Sequence, residues 1–190
     1  MIPTFDTPRL ILRPFSLEDA DDVQRLAGER AVADTTLTIP HPYEDGMAKS
    51  WIASHEPEFA KGTGAAFAII SKDRSALVGA ISLIRIEQEH QAELGYWIGT
   101  PYWNLGFCTE AGRAVLRYSF EDRSLVRIHA RHLTRNPASG RVMIKLGMKH
   151  EGRFRKHVKK WNVLEDMDSY GILIEEWTEA NKSAHATARG

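Results

Sequence analysis

The sequence predicts a mixed α/β (α+β) fold: a central sheet of about seven strands with helices on both faces, in the order β-α-α-β-β-β-α-β-α-β-β. Three observations carry this. Short apolar runs separated by polar turns occupy residues 65–99, the pattern of an antiparallel meander. Apolar stripes at helical spacing precede that meander and alternate with strands after it. Finally, strand, loop, helix and strand follow one another across residues 92–133, a βαβ unit whose crossover forces its two strands to run parallel.

The elements follow in order. Residues 9–15 read as a first strand closed by Pro14. Ser16 to Asp19 offers a capping-box start, after which Leu17, Ala20, Val23 and Leu26 share one helical face ending near Gly28. Residues 31–45 have no clear period and carry Pro40, His41, Pro42 and Tyr43, a composition suited to a loop that contacts substrate. Met47, Trp51, His55 and Phe59 recur every four residues as a second helix, which Pro57 is expected to kink or break. Strands then fall at 66–71, 77–86 and 92–99, a helix within 102–120, and a strand at 126–133. Asn136-Pro137 opens a further helix as a capping side chain followed by proline, with Ser139, Val142, Met143 and Leu146 facing inward and Gly147 ending it. Strands at 153–161 and 167–175 complete the sheet. Residues 1–177 are taken as one domain and 178–190 as a disordered polar tail.

Composition narrows the function classes. The chain has 190 residues, 43% hydrophobic and 26% charged, and its formal charge is zero, so no global charge draws it to nucleic acid or an anionic membrane. A single cysteine, Cys108, excludes an internal disulfide framework. With no apolar run at the N-terminus and none long enough to span a bilayer, the expected setting is cytoplasmic, without a membrane partner. A homodimer is left open.

Residues 102–120 hold the first chemical signal. Gly106, with small residues at 108 and 109, lets the backbone curl closely at the start of a helix. Converging N–H groups and the positive helix end make an anion site there; an ordinary strand-to-helix turn is the plainer alternative. His129 and His132 form an H-x-x-H that a strand would send to opposite faces, against a shared metal, and no metal is expected. The basic run of Arg153, Arg155, Lys156, Lys159 and Lys160, with Phe154 and Val158 alternating inward, reads as a solvated strand face, with an acidic partner or ribosomal RNA as the lesser alternative.

Several motifs in this order carry a resemblance. They are Arg9-Leu-Ile-Leu-Arg-Pro, Glu93-Leu-Gly-Tyr-Trp-Ile-Gly, Trp103-Asn-Leu-Gly-Phe-Cys-Thr-Glu-Ala, Asn136-Pro-Ala-Ser-Gly-Arg-Val-Met-Ile-Lys-Leu-Gly-Met, Glu151-Gly and Tyr170-Gly-Ile-Leu. Together they resemble the GNAT superfamily of N-acetyltransferases, and within it the branch that acetylates the N-terminal alanine or serine of ribosomal proteins. The resemblance implies a three-layer fold and acetyl-coenzyme A as co-substrate. It implies that Trp103, Asn104, Leu105, Gly106, Phe107, Cys108 and Thr109 wrap the pyrophosphate, and that the pantetheine arm pairs with the backbone near Trp97, Ile98 and Gly99 in a gap between splayed strands. Trp103 and Cys108 depart from the usual residues at the ends of that loop; cysteine is small enough, and tryptophan is expected to pack beside the cofactor.

The resemblance also orders the chemistry. Glu93, a charged residue in an apolar strand, is the candidate base that takes the amine's proton, unless it simply faces solvent. An N–H near Ile98 is expected to stabilise the oxyanion. Alignment puts Met143 where most of the superfamily has a proton-donating tyrosine, and Ser139, one turn earlier, is the substitute donor or else a small residue near a helix start. Asn136 is an N-cap first and a pantetheine contact second; Lys145 either reaches a cofactor phosphate or is solvated. Cys108 at a helix N-terminus suggests a covalent acetyl-enzyme as a minor alternative. The leading reading is therefore an N-acetyltransferase acting by direct attack on an amine of a protein N-terminus or small molecule. A non-catalytic acyl-coenzyme A sensor is the competitor.

Overall fold

The computed structural model describes residues 1–86 and 90–187, with side chains to residue 182. Eight strands form one sheet in the order β1-β2-β3-β4-β5-β6-β8-β7. They are β1 (Phe5–Asp6), β2 (Leu10–Arg13), β3 (Ala65–Ser71), β4 (Ala76–Ile84), β5 (Gln91–Ile98), β6 (Arg127–Leu133), β7 (Lys149–Lys160) and β8 (Val163–Leu173). The extra strand relative to the sequence reading is β1, two residues that pair with Leu12 and Ile11 and have too little length to show a period. Every neighbouring pair is antiparallel except β5 and β6, the pair joined by the βαβ crossover.

Among the described residues six α-helices cover the two faces: α1 (Ala20–Ala27), α2 (Arg30–Thr35), α3 (Met47–Ala60), α4 (Phe107–Arg117), α5 (Pro137–Lys145) and α6 (Ile174–Thr187). Strand alternation assigns the layers. Ala80 and Trp97 pack with Val23, Leu26, Val32 and Ile52 of α1–α3 on one side. Leu94, Ile128 and Ala130 pack with Ala111, Val115 and Met143 of α4 and α5 on the other.

Four expectations need correction. The stretch taken as a loop from residue 31 begins as α2, whose Val32 and Ala33 are buried against the first layer; six residues are too few to show periodicity. Pro57 lies inside α3 without ending it, three residues before the helix's last, so little of the helix depends on its missing N–H. Helix α6 runs to Thr187, through the stretch read as a disordered tail, while residues 188–190 lie outside the described residues. Phe154 does not alternate inward: it is 46% exposed, on an edge strand whose pairing is interrupted between Phe154 and Val158. In the same strand Lys160 is buried, donating to Ile39 O at 3.0 Å and so tying the β7–β8 hairpin to the loop after α2.

His55, on the inner face of α3, is 5% exposed between Phe15 and Trp51, and neither ring nitrogen has a hydrogen-bond partner. Burial pushes its pKa down from 6.5 to about 4. The ring is neutral in the fold but gains a proton on unfolding, so this contribution is complete above pH 6.5 and is lost as pH falls toward 4. Across that window the wild type is expected to lose about 3 kcal/mol of stability through this ring. Urea unfolding at pH 7 and pH 4.5 should show a markedly smaller acid loss in His55→Leu; an equal loss would assign the effect elsewhere.

Candidate active site

The site begins where β5 and β6 part. They pair only through Gln91↔Arg127, Ala92↔Ile128 and Glu93↔His129, although both strands continue, to Ile98 and Leu133. Gly99 N–H donates to Val78 O at 2.9 Å. Alternation therefore turns the backbone groups of Gly95, Trp97 and Gly99 toward β4, and those of Leu94, Tyr96 and Ile98 into the opening. Of the expected pairing stretch, Ile98 alone presents its backbone to the gap. Trp97 is instead core of the α1–α3 layer, and Gly99 packs its backbone against Leu26, where an added Cβ would meet Cδ2 at 2.7 Å. A cavity of about 1010 Å³ runs through the opening and is lined from both faces of the sheet, with Glu93 at one side and Ser139 at the other.

The loop after β5 closes one end of this cavity. Asn104 (φ 62°) and Gly106 (φ 81°) are both left-handed, and α4 starts at Phe107 without a side-chain cap. The first N–H groups of the helix are thus left for an external acceptor at its positive end. Asn104, Gly106, Phe107, Cys108 and Thr109 line the cavity; Leu105 does not, and its carbonyl accepts from Arg9 Nη1 at 2.9 Å. A strut that the sequence reading missed holds the turn. Arg9 donates from Nε to Glu110 Oε2 (2.7 Å) and from its backbone N–H to Oε1 (2.8 Å), while Thr7 Oγ1 donates to Oε1 (2.7 Å). Trp103 lines the cavity too, and its indole N–H reaches back to Ile98 O at 2.6 Å, covering the outermost gap-facing acceptor of β5.

Helix α5 brings in the second wall. Asn136 accepts from Ser139 N–H at 3.3 Å as N-cap and donates to Thr35 O at 3.2 Å, so both ends of its amide are engaged in structure. Lys145 is exposed at the outer lining of the cavity. Met143, in the tyrosine's place, is 1% exposed in the core and presents nothing to the cavity. Ser139 lines it and has a partner that was not foreseen: the Tyr96 hydroxyl lies 2.9 Å from Ser139 Oγ and donates to Ser139 O at 3.0 Å. Burial, reinforced by nearby Cys108, raises the Tyr96 pKa, so the hydroxyl keeps its proton. Burial likewise pushes the Cys108 thiol well up, the reverse of the lowered value a helix N-terminus suggested. That raised value weighs against the covalent route through Cys108, although the residue is half-buried and lines the cavity. Cys108→Ala is expected to leave turnover within about twofold of wild type, since the thiol is a protonated, inert small residue; loss of turnover, or rapid inactivation by iodoacetamide, would restore the thiol to the chemistry.

Glu93 lies on the other face, and it is buried rather than turned to solvent. Two guanidiniums hold it. Arg85 Nη1 donates to Oε2 at 2.7 Å, Arg131 Nη2 to Oε2 at 2.8 Å, and Arg131 Nε to Oε1 at 3.2 Å. Oε1 therefore receives a single long bond and is the freer oxygen. His129 Nε2 stands 4.0 Å from Oε2, its pKa lowered by burial in spite of the neighbouring carboxylate. His132 points from the opposite face of β6, stacked on Tyr170. Among the described residues no group of three or more His, Cys, Asp or Glu could hold a metal. No helix there is long and apolar enough to cross a membrane.

A splayed parallel pair, a left-handed glycine before an uncapped helix, and a hydroxyl and a carboxylate on opposite faces of the gap meet at this one cavity. Residues 9–149 match the acetyltransferase (GNAT) domain family, and the chain belongs to that family, whose members use acetyl-coenzyme A. It is similar to the uncharacterized N-acetyltransferase YnaD of Bacillus subtilis, 33% identical over 171 residues that span 90% of this chain and 97% of the relative. It is also similar to the ribosomal protein uS5 alanine N-acetyltransferase of Escherichia coli, 26% identical over 64% of each chain. A GNAT-family acetyltransferase of Bacillus anthracis superposes with a TM-score of 0.81 at 28% identity, covering 91% of this chain and 99% of that one.

Proposed function

We propose that this protein transfers the acetyl group of acetyl-coenzyme A directly to a primary amine, of a protein N-terminus or a small molecule, within a ternary complex. The observation that carries this reading is the gap between β5 and β6, lined by Glu93 from one face and by Ser139 with Tyr96 from the other. Acetyl-coenzyme A supplies an activated thioester; the chain supplies position and protons. The gap-facing backbone of Tyr96 and the N–H of Ile98, whose carbonyl Trp103 occupies, offer strand-like pairing to an extended amide-bearing arm. The start of α4 offers N–H groups to the pyrophosphate. An N–H of Tyr96 or Ile98 is placed to meet the oxyanion as the carbonyl is attacked.

Proton traffic divides between the faces. Oε1 of Glu93 takes the amine's proton, directly or through water, as the C–N bond forms. Ser139 Oγ–H turns from the Tyr96 oxygen to give the departing sulfur its proton as the C–S bond breaks and regains one from water as the products leave, and the Tyr96 hydroxyl orients that serine. A second reading, a non-catalytic acyl-coenzyme A sensor, draws on one observation: Met143 is sealed in the core where a tyrosine would donate. The Tyr96–Ser139 pair supports catalysis against it. An acetyl-transfer screen over peptides and amines separates the two. Turnover that falls about tenfold or more in Ser139→Ala supports the enzyme, and cofactor binding without turnover across the panel supports the sensor.

A further inference from the structure

We infer that the acceptor is a small amine with an anionic group, carboxylate or phosphonate, on the carbon bearing the amino group or the next one, and that Arg131 and Arg85 bind that anion. The inference rests on the acetyltransferase reading and narrows its acceptor. On the acceptor face the cavity presents, among the described residues, one carboxylate, Glu93, against two guanidiniums. The other carboxylate among the described lining residues, Asp45, already accepts from Gln24 Nε2 at 2.7 Å. Glu93 alone does not require two arginines, and the surplus positive charge among the described residues disfavours a polycation.

Arg131 shows how the surplus is presented. It spends one edge, Nε and Nη2, on Glu93. Its other edge, Nη1 with the second Nη2 hydrogen, has no protein acceptor among the described residues, and its side chain is only 22% exposed within the cavity wall. That edge is a planar fork matched to a carboxylate or to two oxygens of a phosphonate. Arg85, 63% exposed at the rim, also donates to Glu93 by Nη1. Because Glu93 and Arg131 touch at 2.8 Å, an amine delivered to Oε1 and an anion delivered to the fork must sit close together. A free α- or β-amino acid meets that spacing. A linear polyamine has no anion, and an internal peptide bond leaves an N-terminal residue a neutral carbonyl in its place.

The test pairs acceptors that differ only in charge. With acetyl-coenzyme A, the purified protein is assayed against the free L-amino acids, their carboxamides, 2-aminoethylphosphonate, spermidine and an alanine-initiated peptide. The best amino acid is expected to exceed its carboxamide by about tenfold or more in kcat/KM, and Arg131→Gln and Arg85→Gln to bring that ratio down toward one. General damage lowers both members of a pair and cancels in the ratio. Turnover of 2-aminoethylphosphonate but not of carboxylates would assign the fork to phosphonates. A ratio near one in the wild type, a ratio that survives Arg131→Gln, or turnover confined to spermidine or the peptide would overturn the inference while acetyl transfer stands. Absence of acetyl-coenzyme A binding would overturn the parent reading as well.

Discussion

Glu93→Gln is expected to lower kcat about a hundredfold or more, with acetyl-coenzyme A affinity unchanged. Glutamine keeps the size and can still accept a hydrogen bond from a guanidinium, so the floor of the cavity stays close to its wild-type shape. What it cannot do is take a proton at Oε1, the oxygen that carries one bond of 3.2 Å while Oε2 carries bonds of 2.7 and 2.8 Å. Raising the pH should recover part of the loss, because a larger fraction of the amine is then neutral before attack. Calorimetry for binding and steady-state kinetics for turnover check the two halves separately. Turnover within a few-fold of wild type would remove Glu93 as the base and leave its two arginines as the reason for its burial. Glu93→Ala is the harsher change, since it leaves Arg131 partly buried without its partner.

Gly106→Val is expected to weaken acetyl-coenzyme A binding by about tenfold or more, through backbone strain added to crowding of the phosphates. The φ of 81° at this position is one a β-branched residue avoids. Within the protein an added Cβ would meet only Arg9 Nη2, at 3.4 Å, so the outer side of the turn is open and the packed core is undisturbed. Gly106→Asn distinguishes the two causes, because asparagine tolerates the left-handed region but still projects a side chain at the helix start. Weak binding in both variants points to crowding of the phosphate; weak binding in valine alone points to strain. Normal binding in both would place the pyrophosphate elsewhere.

Much of this site was legible in one dimension. The strand before Gly99, the turn at Gly106, the cap at Asn136 and the inward face of α5 all follow from short-range rules: alternation, left-handed turns, capping and helical spacing. The misplacements were local as well. A two-residue strand and a six-residue helix are shorter than the periods that would reveal them, and a proline three residues from a helix end costs too little to break it. Trp97 was placed on the correct strand and Gly99 one residue past its end, but which way a strand turns its hydrogen-bonding edge depends on its neighbour, here Val78 of β4.

By itself, then, the sequence determined the order of the elements from β2 to β8 apart from α2, a candidate cradle at the start of α4, and two candidate groups, Glu93 and Ser139, that sit 46 positions apart by residue number. Tertiary structure decided what those groups touch. Arg131 reaches Glu93 across 38 residues and Tyr96 reaches Ser139 across 43, and both meetings depend on a parallel pair that closes at Glu93 and opens beyond it. Side-chain spacing along one strand says nothing about the register of a strand brought alongside by a crossover. The arginine clamp and the tyrosine behind the serine are consequences of that register and of the burial it creates.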